Sequence, residues 1–223
     1  MLSIKRISKL EMEVADMGSD VPTDALTELA SVLKDEEVRF VIGGSTGLAL
    51  RGAELGRPPR DLDIYIDEED VGLAHRLLRA YALDEPESSV TDRYRSTLSH
   101  YRIAGAMVEL VGGFQVTACD SVYLTEVREM LHPACDLIDL GGIGLPVVPL
   151  GHELIFNLLR ERQDRAEAAG KLIAADPARH ITKLRLLLER NRMAEGVSGL
   201  ALKLAGAGEP TGLAELSNRE GRP

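Results

Sequence analysis

The sequence predicts an α+β fold: a mixed β-sheet core with helices on one side, followed by a C-terminal helical region. Three observations carry this expectation. Leu62, Ile64 and Ile66 alternate with Asp61, Asp63 and Tyr65, the period of a two-faced strand. Residues 97–103 and 106–111 flank Ala104-Gly105 as the arms of a hairpin. After Pro149, strong helix formers run to about Arg192 with no strand signal. The expected division is an α+β core over residues 1–149, a helical region over 150–205, and a flexible tail over 206–223 rich in Gly, Pro and Glu.

Taken in order, residues 1–20 are weakly patterned and end in a loop signal, Gly18-Ser19-Asp20. Asp24 is placed to cap a helix in which Leu26, Leu29, Ala30 and Leu33 recur at helical spacing. Val38 to Ile42 reads as a strand, broken by Gly43 and Gly44 and followed by a helix over 46–51. Two glycines and two prolines make residues 52–59 a loop. After the strand at 61–66, the acids of 67–70 suit the first turn of a helix running to about Tyr81. Residues 84–92 read as a polar loop, and Gly112-Gly113 as the end of the hairpin. A helix is expected over 122–131, then a second hairpin around Gly141, Gly142 and Gly144. Pro177 divides the helical region in two.

Composition narrows the function. The 223 residues suffice to bury a core without staples. A net charge of −10 gives no bulk attraction to nucleic acid, and 4% aromatics leave few base-stacking platforms. With only Cys119 and Cys135 there is no disulfide framework, and His132 beside Cys135 lacks the second pair a zinc site needs. No apolar stretch is long enough to span a bilayer, and residues 1–9 show no apolar signal core. These features predict a protein of the reducing cytoplasm with no membrane partner.

The chemistry-bearing stretch is Val41-Ile42-Gly43-Gly44-Ser45, then Arg57-Pro58-Pro59-Arg60-Asp61-Leu62-Asp63-Ile64. A strand running into Gly-Gly-Ser exposes N–H groups and a hydroxyl where a phosphate can approach. Asp61 and Asp63 at i and i+2 on a strand point to one face, where two carboxylates repel unless a cation such as Mg²⁺ lies between them. Glu109 is an isolated charge in an apolar strand, which is costly unless paired or metal-bound.

These residues resemble the DNA polymerase β-type nucleotidyltransferase superfamily, whose signature is hydrophobic-Gly-Gly-Ser/Thr, Asp-x-Asp on a strand, and a later acid on another strand. The resemblance covers about residues 38–111 and is strongest to stand-alone prokaryotic members, the AbiEii-like and small-molecule nucleotidyltransferases. It implies that Asp61, Asp63 and Glu109 hold two magnesium ions. It also implies that Gly43, Gly44 and Ser45 approach the phosphates of an NTP, ATP among them, with Arg57, Arg60 and Arg160 as further phosphate contacts. An NMP would then pass to an acceptor hydroxyl on a tRNA, a protein or a small molecule, and pyrophosphate would leave. The AbiEii likeness implies an antitoxin or partner subunit.

Two departures stand out. Asn157 occupies the place where relatives carry a triphosphate lysine, with Arg160 and Asp164 expected on the same helix face, and Pro59 replaces a common Thr. Several readings stay open on sequence alone. Glu109 could face solvent, Arg57 and Arg60 could be solvated, His100 and Arg102 could line the cleft or only a sheet face, and residues 160–165 read as a charged helix face. A non-catalytic nucleotide-binding or regulatory module on the same fold is the alternative function.

Overall fold

The computed structural model describes residues 21–33 and 38–207. The expected loop at Gly18-Ser19-Asp20 and the tail from residue 208 lie outside them. Among the described residues eight strands form one sheet: β1 (Val41–Gly43), β2 (Asp61–Ile66), β3 (Glu87–Val90), β4 (Tyr94–Ile103), β5 (Ala106–Ala118), β6 (Ser121–Leu124), β7 (Asp136–Leu140) and β8 (Ile143–Val147). Their order is β3-β4-β5-β2-β1-β8-β7, with β6 paired to the far end of β5. β2 runs parallel to β5 and β1 parallel to β8, while the other pairs are antiparallel. The sheet is therefore mixed, as the α+β reading requires.

Helices cover both faces. On one face, α1 (Thr23–Leu33) and α3 (Val71–Leu77) bury Leu26, Leu29, Leu33 and Ala74 against Ile42, Leu62, Ile64, Ile66, Val108 and Leu110. A short helix, α2 (Gly44–Ala49), follows β1. The other face carries α4 (Leu150–Leu159), α5 (Gln163–Ala175), α6 (Pro177–Arg190) and α7 (Glu195–Leu204). Phe156, Ile155, Leu159 and Ile173 join Val41, Tyr65 and Val111 of the sheet in one second core. The C-terminal helices thus share apolar surface with the sheet. Among the described residues no helix is long and apolar enough to cross a membrane.

Four local expectations are corrected. Gly112-Gly113 does not end the hairpin, because β5 continues to Ala118. A Cβ at Gly112 would lie 2.2 Å from Val71 Cγ2, and Gly113 has φ +54 with a Cβ position 2.9 Å from Glu68 Oε2. The pair lets the strand bend closely under the 68–71 turn, beside a register shift between Arg95 and Thr97 of β4. Residues 122–131 are not one helix. β6 comes first, then a single π-helical turn at Val127–Leu131 whose first N–H groups donate to the Asp67 carboxylate. Residues 84–92 contain the edge strand β3, every residue of it exposed, so no apolar alternation marked it.

The fourth correction bears on the site. The helix after Pro149 breaks before Pro177, at Arg160–Arg162, where Glu161 takes φ 58. Asn157 and Asp164 therefore belong to different helices and share no face.

Candidate active site

Strand register builds the floor of the site. Gly43 pairs with Asp63, Asp63 with Glu109, and Glu109 with His100, giving one row across four strands. Directly opposite residues point to the same face, so Asp61, Asp63 and Glu109 face away from the α1 core. Burying Leu62, Ile64 and Ile66 completely on the first face is what orients the acids toward the second.

The three acids line one cavity of about 480 Å³ together with Ser45, Arg57, Pro58, Arg60, Arg160, Arg162 and Arg165. Sequence reasoning placed Arg57, Arg60 and Arg160 beside the acids, and the structure brings them there. It missed Arg162 and Arg165, which the sequence presents as part of a charged helix face. The break after α4 turns all three C-terminal arginines to the cavity. The density of arginines over residues 160–165 was the available signal. Arg160 is held by stacking, its guanidinium carbon 4.9 Å from the Phe156 ring centre and 5.8 Å from that of Phe114. Arg165 Nε donates to Ser45 Oγ at 3.0 Å.

The electrostatics follow from this crowding. Desolvation, then the charges of Asp61 and Glu109, push Asp63 up to about 6, while Arg160 and Arg162 pull the other way. Glu109 is raised by burial and by Asp61, and eased by His100, Arg160 and Arg162. A cluster of carboxylates that repel one another is the donor set a divalent cation stabilises. Among the described residues no three such side chains enclose a single ion by themselves. An ion here would complete its shell with oxygens from substrate or water, as magnesium commonly does.

Gly44 has φ +63, and a Cβ there would lie 1.8 Å from Asp63 Oδ2, so glycine is required for the carboxylate to sit against the turn. Its N–H, however, donates to Glu153 Oε1 at 2.6 Å and so is already occupied. Asn157 does not reach the cavity. It is buried, and its Nδ2 donates to Glu153 O and Oε2. Glu153 itself, fully buried beneath the turn, was invisible to sequence reasoning, because a helix acid in a first turn reads as ordinary.

His100 is engaged by Asp84, with Nδ1 2.6 Å from Oδ2, and Arg102 is exposed. Neither lines the cavity. His132 and Cys135 are both partly buried and Cys135 is a free thiol.

Among the described residues, an eight-stranded mixed sheet thus presents three acids and five arginines to one cavity. A family model described as aminoglycoside-2''-adenylyltransferase matches residues 25–110. The crystal structure of a candidate nucleotidyltransferase from Thermotoga maritima aligns over 66% of this chain and 88% of its own, at 26% identity and a TM-score of 0.54. The antibiotic-resistance factor ANT(2'')-Ia aligns over 77% of this chain and 91% of its own, at 13% identity and a TM-score of 0.47. The lincosamide adenylyltransferase LnuA covers 69% of this chain and 99% of its own, at 11% identity and a TM-score of 0.42. At those scores the last two bear on nothing beyond a loose likeness of shape. No curated protein sequence matches the chain.

Over residues 25–110 and in its fold the chain is similar to nucleotidyltransferases, consistent with the polymerase β-type superfamily and with an enzyme that transfers a nucleotidyl group.

Proposed function

We propose that this chain is a magnesium-dependent nucleotidyltransferase that moves an NMP from an NTP, with ATP as the first candidate, onto a hydroxyl of a small molecule. The observation that carries this is the meeting of Asp61, Asp63 and Glu109 with Arg57, Arg60, Arg160, Arg162 and Arg165 around one cavity. The carboxylates suit divalent ions, and the arginines suit a triphosphate. Asp61 and Asp63 would hold two ions, and Glu109 would complete the ion nearer the acceptor. When bound, magnesium supplies charge stabilisation to the attacking and leaving oxygens of an in-line displacement. Arg160, Arg162 and Arg165 orient the triphosphate with the Ser45 hydroxyl, and Arg57 and Arg60 close over it from the preceding loop. Gly43 and Gly44 allow the close approach of backbone and carboxylate.

The family model at residues 25–110 supports a small hydroxylated acceptor. A net charge of −10 and 4% aromatics weigh against a tRNA acceptor, and with it against a toxin reading with an antitoxin partner. The absent lysine at Asn157 favours the non-catalytic module. Arg160 and Arg162 supply positive charge on that side of the cavity, which supports the catalytic reading.

Calorimetric titration of each NTP with Mg²⁺ into the wild type and the Asp61→Asn/Asp63→Asn double variant tests the proposal. Metal-dependent binding to the wild type that is lost in the double variant is expected. Absence of binding by every NTP would replace it with the regulatory-module reading.

A further inference from the structure

Glu153 is a buried carboxylate that the chemistry above does not use. It sits on α4 at the underside of the turn joining β1 to α2. Its Oε1 accepts the Gly44 N–H at 2.6 Å, and its Oε2 accepts Asn157 Nδ2 at 3.0 Å. Asn157 Nδ2 also donates to Glu153 O at 2.8 Å, one helical turn back, so the asparagine is held in the orientation that grips the carboxylate. A Cβ built on Gly43 would lie 3.2 Å from Glu153 Oε1, and one on Gly47 would lie 3.7 Å away. The carboxylate therefore lies under the whole turn, with glycines above it at both ends.

Above the same turn lies the cavity. Gly44 abuts Asp63, whose Oδ2 would be 1.8 Å from a Gly44 Cβ, and Ser45 follows with its hydroxyl on Arg165. Glu153 thus grips the amide of Gly44, the residue that abuts Asp63 and precedes Ser45. Taking a carboxylate out of water costs several kcal/mol unless good hydrogen bonds repay it. An apolar residue in its place would avoid that cost but would leave the Gly44 N–H without its partner beneath the turn.

We infer that Glu153 is a positioning residue for the active site: by holding the Gly44 amide from below, it sets Ser45 Oγ relative to the Asp63 carboxylate in the cavity. Asn157 serves this grip. The departure at position 157 thereby has a role of its own, in which charge for the nucleotide comes from Arg160 and Arg162 while residue 157 holds Glu153. The inference rests on the nucleotidyl-transfer reading for its consequence, though not for the geometry.

The test compares Glu153→Met, which keeps bulk but removes the acceptor, with Glu153→Gln, which keeps an acceptor oxygen. Three quantities are read: amide hydrogen exchange at Gly44 by NMR without ligand, thermal midpoint, and the dissociation constant of ATP with Mg²⁺. In Glu153→Met, Gly44 exchange is expected to rise, and ATP binding to weaken, each about tenfold, the scale of one lost buried hydrogen bond. Glu153→Gln keeps an acceptor for the Gly44 N–H but sets its NH2 against Asn157 Nδ2, so both quantities should fall between those of Glu153→Met and wild type. Unchanged Gly44 exchange in Glu153→Met overturns the inference. So does unchanged ATP binding, and so does a loss of thermal midpoint with binding intact, which would mark Glu153 as structural only. If the wild type binds no NTP, the nucleotidyl-transfer reading falls, while the Gly44 exchange contrast still decides whether Glu153 sets the turn.

Discussion

The two faces of β2 share a backbone and differ in everything else. Leu62, Ile64 and Ile66 are fully buried against α1 and α3, with no polar group to satisfy. Asp61 and Asp63, one residue away, stand on the face where charge is concentrated, among five arginines. The apolar face holds the strand in register, and the register aims the carboxylates. What the difference teaches is a division with period two: alternate residues supply the buried apolar face and the charged cavity face, and a slip of one residue would exchange them.

The comparison breaks if the two faces respond alike to substitution. Ile64→Ala should cost roughly 2–5 kcal/mol of folding stability, as large-to-small changes in a closed core do. Asp63→Asn should leave the fold intact and lower transfer by at least about a thousandfold, roughly 4 kcal/mol of barrier. Urea unfolding and a pyrophosphate-release assay read the two effects. A transfer rate in Asp63→Asn near wild type would remove the functional half of the comparison.

A smaller effect sharpens it through pH. Asp63 rests at about 6, raised by desolvation and then by Asp61 and Glu109. A carboxyl that holds its proton more tightly folded than unfolded favours folding at low pH, and that contribution is lost as pH rises through the folded value. The metal-free wild type should therefore lose stability relative to Asp63→Asn between about pH 4 and 7, with the gap reaching roughly 2–3 kcal/mol at pH 8. The difference between the two proteins cancels His152, which burial holds down at about 3 with a slope of opposite sign, and carries Asp63 together with its effect on Glu153, raised to about 7 by burial and then by Asp63. A gap constant across pH would mean that Asp63 is not crowded. Added Mg²⁺ should shrink the gap by stabilising the ionised form.

The smallest expected effect concerns the cation stacked on Phe156 and Phe114. Arg160→Ala should weaken NTP binding about tenfold with little change in stability, and Arg160→Lys should recover only part of it, because a compact ammonium stacks less well than a planar guanidinium. Full recovery by lysine, measured by calorimetry, would show that charge alone matters there.

Much of this molecule was legible as sequence wherever the deciding geometry is local. Period two on residues 61–66 fixed which side chains share a face, and a lone Glu109 amid apolar neighbours marked the strand that pairs with it. The Gly-Gly-Ser break and the hairpin at Ala104-Gly105 followed from turn chemistry. Tertiary structure alone decided the rest. It brought Arg165 to Ser45 and Glu153 to Gly44 across separations of 120 and 109 residues. It made Gly112-Gly113 a bend rather than an end, because Val71 and Glu68 lie over them. It also hid Asn157 inside the protein and brought Arg160, Arg162 and Arg165, expected on a charged helix face, to one wall of the cavity. The reason is physical: backbone periodicity is a property of neighbours along the chain, whereas the partner of a charge is chosen by packing and by the cost of leaving it alone.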